Sequence, residues 1–199
     1  MESFDEQLKD AIVTNDINFL DKNKNQYNIN HRFADEDNDT LLSYAISDSK
    51  SDIYLYFLEN GADILLLNNE GESIVHSIIY SGIKERLVKI VESDKFDFSY
   101  LNLQTNDGTS PLLLSVLLGK YDIFVYLLEL NVDINLTDNE GNAPIHPACF
   151  LGHKNMVTEL VNRGTNLHIK THKGNYPLAL AVNGDHDEIV KYLYKTIYA

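Results

Sequence analysis

His146 and His153 stand seven residues apart, and Cys149, the only cysteine of the 199-residue chain, lies between them. On a helix, positions three apart share a face. His153, seven after His146, could continue that face. Zinc binds imidazole nitrogen and thiolate sulfur, so the trio is a candidate metal or catalytic centre. A second candidate is the basic patch formed by His168, Lys170, His172 and Lys173, which could contact a phosphate or carboxylate or simply be a solvated turn. Other chemistry is missing from the sequence. It has no Gly-rich dinucleotide or nucleoside-triphosphate loop, no paired-His metalloprotease motif and no nucleophile elbow. Asp35, Asp37 and Asp39 alternate without the spacing or closing Glu of a calcium loop. No nucleophile has a base at a defensible spacing, so neither an enzyme nor a cofactor is expected.

Bulk composition narrows the partners. Thirty acidic residues against 16 basic ones give a net charge of -14. That charge repels a nucleic-acid backbone and suits a partner with a basic surface, or solubility alone. The 44% hydrophobic content can build a core. One cysteine excludes an intrachain disulfide and suits a reducing compartment. The opening "MESFDEQLKDAI" is acidic and is no secretory signal. No apolar run approaches the roughly 20 residues of a membrane helix. The expected setting is cytoplasmic, or inside a host cell after delivery, as a monomer that meets no membrane.

Whether the histidine trio is a site or scaffolding depends on repetition. Gly141-Asn142-Ala143-Pro144-Ile145-His146 is echoed at Gly174-Asn175-Tyr176-Pro177-Leu178-Ala179 and at Gly108-Thr109-Ser110-Pro111-Leu112-Leu113. Weaker echoes start at Gly71 and Asn38. Each unit opens with a polar turn closed by Gly71, Gly108, Gly141 or Gly174, positions that call for positive φ. Ser or Thr two residues later can cap a helix, and Pro111, Pro144 and Pro177 fit a first helical turn. A short apolar helix, a break and a second helix with apolar residues three and four apart follow. Exits such as "NGAD" (60–63) and "RGTN" (163–166) end each unit.

These units resemble ankyrin repeats: the Gly-x-x-Pro-Leu/Ile-His start, the Gly152-His153 between helices, the paired Leu127-Leu128 and the Asn60-Gly61-Ala62-Asp63 exit all fit. The resemblance implies an all-α solenoid of stacked antiparallel helix pairs joined by β-turn or hairpin-like loops, in a single domain over 1–199. An N-terminal capping unit (1–37) precedes repeats at 38–70, 71–107, 108–140 and 141–173. A C-terminal capping repeat occupies 174–199. It also gives His146 and His76 a common slot, bonded to the backbone of a neighbouring turn, and makes His153 an inter-helix spacer. Cys149 becomes a small buried hydrophobe.

The resemblance implies protein binding through the concave face and turn tips. Candidate contacts are Asn69, Glu70, Asn106, Asp107, Asn139, Glu140, His172 and Lys173, with Tyr44, Tyr80 and Phe150 from first helices. An inhibitory or regulatory subunit is the alternative. The 71–107 unit is four residues longer than its neighbours, so either its second helix extends or its loop bulges. "FDFSYL" (96–101) is expected to lie extended with Phe96, Phe98 and Leu101 inward. Pro147 departs from the family pattern, but in the first turn and a half of a helix its missing N–H costs little.

Overall fold

The structure is a computed structural model and describes residues 3–34, 37–48 and 52–198; Asp35 lies outside them. The described residues contain twelve α-helices, one 3-10 helix and one two-stranded ladder of two residues per strand. The fold is all-α. By contacts the chain divides into two compact units, Met1–Tyr100 and Leu101–Ala199.

In the first unit the helices pair as α1 (Phe4–Thr14) with α2 (Ile17–Asn23), α3 (Leu41–Asp48) with α4 (Tyr54–Glu59), and α5 (Ile74–Ser81) with α6 (Lys84–Val91). First helix stacks on first helix, α1 on α3 and α3 on α5. The strands β1 (Arg32–Phe33) and β2 (Asp39–Thr40) form an antiparallel hairpin before α3. In the second unit the pairs are α7 (Pro111–Leu117) with α8 (Tyr121–Glu129), α9 (Ile145–Phe150) with α10 (Lys154–Asn162), and α11 (Pro177–Asn183) with α12 (Asp187–Tyr198). There α9 lies between α7 and α11, and α10 touches both α8 and α12. Helices this short are marginal alone in water, so packing rather than propensity holds them.

In α3, α5, α7 and α9 an amide at the helix start is satisfied locally, by chemistry that varies at one slot, whereas α11, with Ala179 in that slot, has no side-chain cap. Ser43 Oγ accepts from Thr40 N at 2.8 Å. His76 Nδ1 accepts from Ser73 N at 3.2 Å, and His146 Nδ1 accepts from Ala143 N at 2.9 Å. Leu113 occupies the same slot and cannot accept, but Ser110 Oγ caps that helix by accepting from Leu113 N at 3.2 Å.

The long unit differs from expectation in one respect. Helix α6 ends at Val91, so the four extra residues are in the loop. That loop forms a 3-10 helix at Phe98–Asn102 rather than an extended strand. Phe96 and Leu101 are buried, but Phe98 is exposed, its ring edge-on to that of Phe96 with centres 5.5 Å apart. The Tyr100 hydroxyl donates to Leu65 O at 2.7 Å and ties the loop back.

Arg86 is buried at a position that holds Ile53, Ile123, Met156 and Ile189 in the other units, all of them buried. Its Nη1 donates to the Ile46 carbonyl in the last turn of α3. Its guanidinium lies 5.3 Å from the centre of the Tyr54 ring. A cation at a helix C-terminus meets the negative end of the macrodipole. Burial lowers the affinity of the guanidinium for its proton, and Tyr54 and Asp52 oppose that shift.

Candidate functional site

The polar turns build the site. Gly71, Gly108, Gly141 and Gly174 all have positive φ, between 76° and 87°. At Gly141 a second constraint acts, since a Cβ there would lie 2.9 Å from His172 N in the next turn. The glycine thus lets adjacent turns touch. His172 N donates to Glu140 O at 2.8 Å, and Asn139 N donates to Asp107 O at 3.0 Å. In the first unit Asn69 N donates to Asp37 O at 2.8 Å. Neighbouring tips are therefore tied through their backbones. A second tie runs along the exits, where Asn30, Asn102 and Asn135 side chains accept from Asp63 N, Asp133 N and Asn166 N.

The candidate tip residues Asn69, Glu70, Asn106, Asp107, Asn139, Glu140, His172 and Lys173 are all exposed, but their side chains are not equally available. Asp107 accepts from the Thr105 hydroxyl and from Thr109 N. Those bonds, Thr105 first, hold its carboxyl below the usual range. Asn139 Nδ2 donates to Asn106 O at 2.9 Å. Glu140 points outward, its carboxylate 3.7 Å from Lys173 Nζ with both side chains solvated; such a pair contributes little.

Beside these tips a cleft of about 250 Å³ opens in the second unit. Leu113, Leu117, Pro147, Phe150 and Leu180 supply its apolar lining, and Asp138, Glu140 and Lys173 its charged rim. Phe150 is 50% exposed and Leu117 45%. The two occupy one register position, nine residues after Gly141 and Gly108. Tyr80, nine after Gly71, is also exposed, and its hydroxyl donates to Glu72 Oε1 at 2.7 Å. Tyr44 is half-buried instead, its ring centre 5.1 Å from that of Phe33. Leu117 and Asp138 were missed by the sequence reading. The shared offset from the turn glycine is the signal that finds Leu117.

The histidine trio does not converge. A backbone N–H can only donate, so His146 Nδ1 accepts from Ala143 and its proton sits on Nε2. Nε2 then donates to Ile169 O at 3.2 Å, in the loop entering the next turn. Burial lowers the pKa of His146, opposed by these backbone contacts. Cys149 is fully buried, and desolvation pushes its thiol up to about 12. His153 instead packs toward Gly119, with ring atoms 3.7 Å from where a Cβ would stand. His186 repeats this against Gly152 and donates from Nε2 to Phe150 O at 2.9 Å. Among the described residues, no three His, Cys, Asp or Glu side chains are placed to hold a metal ion. His168, Lys170, His172 and Lys173 are spread over the exit and the tip. Lys170 Nζ lies 4.7 Å from the centre of the Tyr176 ring. Among the described residues no helix is long and apolar enough to cross a membrane.

Comparison with known proteins agrees with the repeat geometry. The family description "Ankyrin repeats (3 copies)" matches residues 130–198, and the single "Ankyrin repeat" matches 107–139. A curated ankyrin repeat protein of Fowlpox virus (strain NVSL) is 30% identical over 131 residues. The match covers 64% of this chain and 29% of that relative, so the chain spans under a third of the relative's length.

Proposed function

Because this chain belongs to the ankyrin repeat family, whose repeats are generally non-enzymatic protein–protein interaction modules, we propose that it binds a partner protein through the cleft and turn tips of residues 101–199. The bound segment inserts an apolar side chain between Leu117 and Phe150 and sets a lysine or arginine beside Glu140. The observation that carries this reading is the pairing of two half-exposed apolar side chains at one register position with an outward carboxylate beside them. Apolar anchors in a pocket with a charged rim are how interfaces concentrate binding energy. A basic partner also suits the first 100 residues, which hold 20 acidic against 9 basic side chains, compared with 10 against 7 in the remainder. Charge of that sign speeds encounter with a basic surface and disfavours nucleic acid. A buried cysteine suits the reducing cytoplasm, whether of the producing cell or of a host.

Peptide display against the full chain tests the reading. The expected consensus joins an aromatic or aliphatic residue to a nearby Lys or Arg. Its binding weakens as salt rises and disappears in Leu117→Glu and Phe150→Glu. An acidic consensus, or enrichment that survives both substitutions, would exclude it.

A further inference from the structure

The residue after each turn glycine differs in how far the fold engages its side chain. Glu72, after Gly71, is engaged on both oxygens: Oε2 accepts from Asn68 Nδ2 at 2.8 Å and Oε1 from the Tyr80 hydroxyl at 2.7 Å. Asn142, after Gly141, is engaged on one side only. Its Nδ2 donates to Asp138 Oδ2 at 2.9 Å. A carboxylate only accepts, so the remaining atom is the carbonyl oxygen Oδ1, and no group among the described residues bonds it. Asn175, after Gly174, uses its backbone alone, its N–H donating to Thr171 Oγ1 at 3.2 Å and its C=O accepting from Thr171 N at 3.1 Å. Its carboxamide bonds nothing among the described residues. Both asparagines are half-buried, and both line the cleft that holds Leu117 and Phe150. Asp138 beside them is committed to its own turn, where Oδ1 accepts from Glu140 N and Asn142 N. The apolar slot is therefore flanked by one open acceptor and one open carboxamide.

We infer that the partner segment in this cleft is an extended chain gripped by its main chain through Asn142 and Asn175, an inference that rests on the cleft reading above. A carboxamide offers one acceptor and two donors. Asn175 can thus pair with the N–H and the C=O of a peptide group, and Asn142 Oδ1 accepts one further N–H. A helical segment has its interior N–H and C=O groups bonded to each other. Laid over the cleft, it would cover two asparagines and answer neither, and a covered polar group without a partner is costly. An extended segment leaves those groups open. Its main-chain bonds then supply affinity, and the pocket supplies specificity. The apolar side chain enters between Leu117 and Phe150, the cation meets Glu140, and the identity of the remaining residues is free. The kind of partner that fits is a basic loop or unstructured segment with one apolar anchor, not the face of a helix.

Nuclear magnetic resonance titration of the full chain with capped synthetic pentapeptides tests this. Each peptide carries one Phe and one Arg among alanines, and the set covers every relative spacing. Each is compared with versions N-methylated at one backbone nitrogen at a time, and with a helical peptide rich in α-aminoisobutyrate that displays the same pair. The expected result is binding by at least one pentapeptide, with shifts of the Asn175 side-chain amide signals. N-methylation at one position should weaken it about threefold or more. Asn175→Ala removes no hydrogen bond of the fold, so it should weaken binding by a similar factor with the denaturation midpoint unchanged. Phe150→Glu should abolish binding. Binding that is lost in Phe150→Glu but indifferent to every N-methylation and to Asn175→Ala overturns the main-chain grip and leaves the cleft reading standing. So does tighter binding of the helical peptide. Binding that persists in Phe150→Glu, or no binding by any peptide at about 5 mM, overturns both.

Discussion

Replacing Gly108 by alanine should cost far more stability than replacing Gly174, although both glycines close the same kind of turn. Their φ angles are +87° and +81°, so the backbone penalty is nearly equal, about 1–2 kcal/mol for an L side chain in the left-handed region. Their surroundings differ. Nothing lies within 4 Å of a Cβ at Gly174. A Cβ at Gly108 would stand 2.6 Å from Asn139 N and 2.8 Å from Asp138 Cα, both backbone atoms. The Asp138–Asn139 backbone must move away, and the Asn139 N–Asp107 O bond of 3.0 Å is the first casualty. Losing that bond adds about 1 kcal/mol, and the displaced turn adds strain of similar size. The totals are about 1–2 kcal/mol for Gly174→Ala and about 3–4 kcal/mol for Gly108→Ala. Urea denaturation followed by far-ultraviolet circular dichroism measures both. Hydrogen exchange adds a local readout, since the Asn139 amide should exchange faster in Gly108→Ala only. Equal costs, or an unchanged Asn139 amide, would mean that the glycine serves backbone angle alone and that the tips are not mechanically joined.

Two further outcomes follow from buried polar groups. Burial lowers the folded-state pKa of His146, so the unfolded chain takes up its proton first as pH falls. The stabilisation is complete above the unfolded value of about 6.5 and is lost as pH drops through the window below it, by up to about 1.4 kcal/mol per pH unit. His146→Gln keeps an acceptor for Ala143 N and should flatten that slope; an unchanged urea midpoint profile would refute the assignment. Arg86→Ala should destabilise by about 3 kcal/mol or more through a cavity and an abandoned Ile46 carbonyl. Arg86→Met should recover most of that loss, because Met156 fills the same position elsewhere, and thermal melts of both variants give the comparison.

The helices were legible in the sequence because their cause is periodic. Glycine at the turns, proline in first helical turns and apolar residues three and four apart recur about every 33 residues, and tertiary packing acts in the same direction. What escaped the sequence were non-periodic features. Arg86 breaks an apolar column, and a formal charge in a core position is not predicted by the pattern that surrounds it. The 3-10 segment at Phe98–Asn102 arises from a four-residue surplus whose conformation is fixed by a distant contact, Tyr100 to Leu65. The site was partly legible. Turn tips and Tyr80 follow from the register, and so does Phe150. Leu117 obeys the same register but reads as one more core leucine until exposure separates it from Leu112–Leu114. The closure of Asp107 onto Thr105 and Thr109 is local geometry, visible only in coordinates.

The tip-to-tip bonds of Asn69, Asn139 and His172 run from amide to carbonyl, with no side-chain group required. Their donors are an asparagine twice and a histidine once, and the bond is the same length within 0.2 Å. The architecture is therefore indifferent to which letter occupies an outward tip such as Glu140 or Lys173. In the proposed binding mode, mutation rewrites preference there one position at a time, each step nearly invisible to folding. A lineage carrying such a chain can follow a changing partner through single substitutions, and needs no compensating change in the core.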